Sequence, residues 1–173
     1  MIQKAVMKDA DLIEDAYNEH FQYEQEHTAF TVFKKGVYPT KEVAERAIHA
    51  GTLFVYEENG MIGGSMIVDK IQPIEYAAIP WKRSFSENEV VVIHLLMVRP
   101  SMSGKGIATS LINHAAALAK ENNCKALRLD TGSQNIPAVS LYQKNGFEIV
   151  ASAPKKVGDV IAHKNHLYLE KIL

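Results

Sequence analysis

The feature that most constrains this chain is the run Val90–Val98, nine residues that are apolar apart from His94. A run without alternation reads as a strand buried on both faces rather than one with a wet side. It is far shorter than the ~20 residues a membrane-spanning helix needs. It leads through Arg99-Pro100-Ser101-Met102 into Ser103-Gly104-Lys105-Gly106, then into an alanine- and leucine-rich segment, 107–122, with helical period. A buried strand, a glycine turn and a helix form the opening of a parallel crossover, the unit from which α/β sheets are built.

The remaining segments fit around that unit. Residues 2–7 read as an opening strand. A helix follows to about His27, capped by Asp9 or Asp11, with Leu12, Ile13, Ala16, Tyr17 and Phe21 at helical spacing. Thr40 is a candidate cap for a second helix that carries Val43, Ala44, Ala47 and Ile48 on one face and stops at Gly51. Residues 52–56 and 61–68 read as strands joined by Glu58-Asn59-Gly60, a hairpin signal. Residues 70–89 have no regular period. Residues 126–129 read as a strand and 135–145 as a helix ended by Gly146; 147–151 and 166–170 close the chain as strands.

The order is strand, two helices, three strands, helix, strand, helix, two strands. That order predicts one mixed α/β domain over residues 1–173, with no linker or repeat to divide it. A single cysteine, Cys124, excludes an internal disulfide and any zinc site needing two thiolates. A net charge of −1 gives no footprint for nucleic acid. The first residues lack the apolar core of a secretory signal, so a cytoplasmic protein that does not enter membranes is expected.

Chemistry is concentrated in two segments. Where the strand ends at Val98 and the helix begins near Ile107, unpaired N–H groups and the positive end of the helix dipole suit a phosphate or pyrophosphate. Two common phosphate loops fail here. Arg99 replaces the first glycine of a P-loop and Gly106 its Ser/Thr, and Thr109 replaces the last glycine of the dinucleotide fingerprint. The second segment starts at Asn135, a good N-cap, and places Tyr142 two turns further along the same helix.

Together the two segments resemble the GNAT superfamily of acyl-CoA-dependent N-acyltransferases. The first signature appears as Val98-Arg99-Pro100 followed by Ser103-Gly104-Lys105-Gly106-Ile107-Ala108. The second appears as Asn135, Ala138, Leu141-Tyr142 and Gly146-Phe147. Ser103 departs from the family's usual Gln or Arg. The resemblance implies a central, mostly antiparallel twisted sheet of six or seven strands with helices on both faces. It implies acetyl-CoA as co-substrate, without a metal, and a small-molecule or peptide amine as acceptor.

By the same resemblance, Leu96, Met97 and Val98 would pair with the pantetheine arm as an added strand does, and the N–H of Leu96 would polarise the thioester carbonyl. Ser103, Gly104, Lys105, Gly106, Ile107, Ala108 and Thr109 would cradle the pyrophosphate, and Asn135 would contact pantetheine or shape the thiol end. Tyr142 would be the general acid toward the departing sulfur. His94 is the candidate base, the only ionisable side chain between Glu89 and Arg99 and of a type that titrates near neutrality; Asp130 is the second candidate. His163 and His166 lie three apart without an evident third metal ligand. Phe30, Phe33, Tyr38, Tyr76 and Trp81 are candidates to line an acceptor pocket, or simple apolar cover. A non-catalytic acyl-CoA-binding module is the alternative reading, and the edge strands leave room for a homodimer.

Overall fold

The computed structural model describes residues 1–173. Seven strands form one sheet in the order β1-β2-β3-β4-β5-β7-β6. The strands are β1 (Ile2–Lys4), β2 (Leu53–Glu58), β3 (Met61–Asp69), β4 (Val90–Val98), β5 (Ala126–Gly132), β6 (Glu148–Val157) and β7 (Ile161–Ile172). Only β4 and β5 run parallel. The helix between them, α3 (Ile107–Glu121), is the expected crossover. The other helices are α1 (Ala10–Glu26), α2 (Lys41–His49) and α4 (Ile136–Lys144).

Alternation along the strands divides the apolar side chains between two faces. Leu53, Val55 and Ile62 meet Ile13, Tyr17 and Phe21 of α1 and Ala44 and Ile48 of α2. On the opposite face Phe54, Met66, Val91, Ile93 and Leu127 meet Ile107, Leu111 and Ile112 of α3. The irregular stretch 70–89 supplies the rest of the cover: Tyr76 and Ile79 pack on Val92 and Tyr168, with Trp81 alongside. Arg128 pins this stretch. Its Nε donates to Glu170 at 2.8 Å, its guanidinium reaches Gln72 and the carbonyl of Arg83, and it lies 4.1 Å from the Trp81 ring centroid.

Several local expectations need correction. Asp9 precedes α1, but its carboxylate accepts from the N–H of Val6 and caps no N–H of that helix. Thr40 is the N-cap residue of α2 without a side-chain hydrogen bond to it. The closing strands are much longer than 147–151 and 166–170, because β6 and β7 continue outward as a hairpin in which only one face finds cover. Residues Val90 to Ile93 are buried on both faces as expected, whereas His94, Leu95 and Leu96 are half-buried.

That last difference comes from a fork in the sheet. β4 pairs with β5 only from Val90↔Ala126 to Val92↔Arg128. Against β3, the register jumps from Ser65↔Met97 to Ile67↔His94, so Leu95 and Leu96 together oppose the single residue Met66. Leu95 takes a left-handed conformation, φ 48°. This is a β-bulge, which bends its strand and adds twist. Beyond Val92, β4 parts from β5, while β5 continues to Gly132 against β7 alone.

Candidate active site

A cleft of about 1010 Å³ opens at the fork. Its floor is the free part of β4, from Ile93 to Val98, and one wall is the α3 N-terminus. Gly104 and Gly106 both have positive φ, 77° and 76°, which turns the chain sharply into α3 without a Cβ facing the opening. Consecutive backbone N–H groups from Gly104 to Thr109 donate to no backbone carbonyl; the first helical bond is Ser110 N–H to Gly106. No side chain caps this end. The result is a nest of donors at the positive end of a fifteen-residue helix, a fit for a pyrophosphate.

Of the residues expected to cradle an anion, Ser103, Gly104, Gly106, Ile107, Ala108 and Thr109 line the cleft, as do Leu96, Met97 and Val98. Lys105 does not: its ammonium turns outward to Glu58 at 3.4 Å, leaving only its main chain to serve the loop. Thr109 Oγ1 accepts from Asn145 Nδ2 at 3.4 Å, which ties α3 to the end of α4. Asn135 caps α4, its Oδ1 accepting from the N–H of Ala138 at 3.3 Å, and also faces the cleft. The turn ahead of the glycines is anchored from outside. Glu19 of α1 accepts from Arg99 at 3.0 Å and from the N–H of Ser101 at 2.7 Å.

Tyr142 lies on the inner face of α4, its ring edge-on to Phe147 with centroids 5.9 Å apart. Burial, and then the charge of Asp130, push its phenol well above the usual range, so it stays protonated. It lines the cleft, and its hydroxyl makes no hydrogen bond to a neighbour in the chain. His94 faces the same opening. Its Nε2 lies 3.0 Å from Asp69 Oδ1, a partner sequence reasoning missed. The missing information is register: Asp69 opposes Val92 and Ile67 opposes His94, so the two are diagonal neighbours on one face.

Asp130 projects from β5 on the other side of the fork. Burial raises its carboxyl, against the opposing pull of Lys155, the Tyr76 hydrogen bond and His94. Tyr76 donates to its Oδ2 at 2.8 Å, and His166 Nε2 lies 3.3 Å from its Oδ1. Phe30, Phe33 and Tyr38 line the cleft; Tyr76 and Trp81 serve as cover and do not. Burial, and then the charges of Asp130 and Asp159, push the Tyr38 phenol up to about 12.

The sequence profile of the acetyltransferase (GNAT) family matches residues 11–147. The chain belongs to that family, whose general reaction is acetyl-CoA-dependent N-acetylation. Among individual proteins it is similar to an uncharacterized N-acetyltransferase of Methanocaldococcus jannaschii, 33% identical over 97 residues, 55% of this chain and 38% of that one. The chain spans about a third to three-fifths of the length of the first curated relatives it matches. Its fold is that of a GNAT-family acetyltransferase from Listeria monocytogenes, TM-score 0.75, with 20% identity and coverage of 100% and 94% of the two chains. It is equally that of PaiA N-acetyltransferase from Thermoplasma acidophilum, solved with coenzyme A: TM-score 0.71, 15% identity, coverage 100% and 98%. No helix here is long and apolar enough to cross a membrane.

Proposed function

We propose that this chain transfers an acetyl group from acetyl-CoA to a primary amine of a small molecule or peptide, by direct attack through a tetrahedral intermediate. The observation that carries the reading is the convergence, at one fork, of an uncapped nest of N–H groups with the protonated Tyr142 phenol and the His94–Asp69 pair on the walls beyond it. The nest at 104–109 holds the donor's pyrophosphate. The free edge of β4 takes the pantetheine arm as a sheet takes an added strand. That directs the thioester toward the bulge, where the N–H of Leu96 steadies the developing oxyanion.

The amine attacks from the side lined by Phe30, Phe33 and Tyr38. His94, oriented by Asp69, removes a proton from the attacking nitrogen. Tyr142, kept protonated by its surroundings, donates to the departing sulfur. The test is release of CoA thiol from acetyl-CoA in the presence of an alkylamine, a diamine, amino acids and dipeptides. His94→Ala should lower kcat with the best amine by about a hundredfold or more. Tight acetyl-CoA binding with no thiol release from any amine would instead identify a binding module.

A further inference from the structure

The reaction releases one proton per turnover. An ammonium acceptor loses two protons on its way to an amide, the thiolate regains one, and the other must reach water. His94 and Tyr142 account for the proton that returns to sulfur. Nothing assigned so far carries the other.

A second acid–histidine pair faces the first across the fork. In β3 and β4, Asp69 and His94 are diagonal neighbours. In β5 and β7, Asp130 opposes Tyr168 and Gly132 opposes His166, so Asp130 and His166 are diagonal neighbours too. The second pair continues outward. His166 Nδ1 lies 2.8 Å from Nδ1 of His163, with the rings edge to face at 4.8 Å. His166 is buried and His163 half-buried on the outer part of the β6–β7 hairpin. Asp130 Oδ1 lies 3.3 Å from His166 Nε2 without hydrogen-bond alignment, and His166 bonds His163 near the surface, so the path outward from the cleft rests on proximity at its first step and on a hydrogen bond at its second.

We propose that Asp130 takes the proton of the incoming ammonium and that His166 and His163 conduct it to solvent. This rests on the acetyl-transfer reading above. The step balances as a series of hops with no other bond changed. The N–H proton passes to Asp130 Oδ1, then to His166 Nε2; the His166 Nδ1 proton passes to His163 Nδ1, and His163 Nε2 releases its proton to water, after which both rings return to their starting tautomers by exchange with solvent before the next turnover. The amine lone pair is thereby freed for attack.

The surroundings suit such a transfer. Burial raises the Asp130 carboxyl, and burial followed by the charges of His163 and Lys155 lowers His166 to about 4, so the carboxyl gains proton affinity and the imidazole loses it. The groups facing Asp130 are Tyr76 and Glu75 from the 70–89 stretch, Lys155 from β6, His94 from β4, His166 and Tyr168 from β7, Tyr142 from α4 and Tyr38 from the loop before α2. Tyr76 holds Oδ2 and leaves Oδ1 toward His166.

The test compares wild type with His163→Gln and His166→Gln, using the best amine of the thiol-release screen, in weakly buffered solution with and without added imidazole. Each variant should lose about tenfold in kcat, keep the wild-type stabilisation by acetyl-CoA, and regain most of the loss as imidazole rises. Turnover equal to wild type in both variants overturns the relay and leaves acetyl transfer standing. So does a loss of turnover that imidazole does not restore. If the wild-type protein binds acetyl-CoA yet acetylates no amine, the underlying reading fails and the relay fails with it.

Discussion

Tyr142→Phe separates chemistry from packing more cleanly than any other single change. The substitution removes one oxygen and keeps the ring that packs edge-on against Phe147. The hydroxyl serves no neighbour in the chain, so folding stability should change by less than ~0.5 kcal/mol. In the proposed function the donor's pyrophosphate rests on the main-chain N–H groups at 104–109, so the dissociation constant for acetyl-CoA should stay within about twofold. Turnover should not survive in the same way. A positioned proton donor contributes about 10² to 10⁴ in rate. At 1.36 kcal/mol per decade that is roughly 3 to 5 kcal/mol of barrier. The assay is kcat from CoA thiol release beside calorimetric binding of acetyl-CoA. Because burial holds the phenol protonated, wild type should show no alkaline loss attributable to Tyr142 below about pH 10. A kcat within threefold of wild type, with binding intact, would refute the acid role.

Other consequences follow from buried charge. Glu170→Ala strands the Arg128 guanidinium at a site where Glu170 is fully buried, and should cost about 3–5 kcal/mol by urea unfolding. Adding Arg128→Leu should recover part of that loss, and equal additive losses would contradict the pairing. His166 is lowered to about 4 in the fold, so the fold favours its neutral form. That stability is fully present above the unfolded-state value of about 6.5 and is lost as pH falls through the folded value, by at most ~3 kcal/mol. Urea midpoints between pH 7 and 4 should drop more in wild type than in His166→Gln, and parallel curves would contradict it.

How far the sequence reveals this molecule depends on range along the chain. The β4–α3–β5 crossover is legible because Val90 to Ala119 carries its own burial pattern, turn glycines and helical period within one continuous segment. The donor nest is legible for the same reason. The partners of Asp69 and His166 are not, because each is set only by strand register: a diagonal step from Asp69 to His94, and another from His166 to Asp130. The insertion of β7 between β5 and β6 is equally hidden, since nothing local to Ile161–Ile172 states which strand it joins. The outer halves of β6 and β7, with Pro154, Lys155, Lys156 and Lys164, look like loop because they are wet on one face and gain order from pairing with each other.

The most direct test of the account is thermal unfolding with acetyl-CoA, CoA and ATP at matched concentrations, since it requires no knowledge of the acceptor. At a hundred times its dissociation constant a ligand adds about 2.7 kcal/mol, which for a domain of this size raises the midpoint by roughly 5–10 °C. The donor nest and the free edge of β4 predict that acetyl-CoA and CoA both raise it and ATP does not. A shift with ATP equal to that with CoA, or no shift with either CoA species, would contradict the assignment of the fork as the acetyl-donor site.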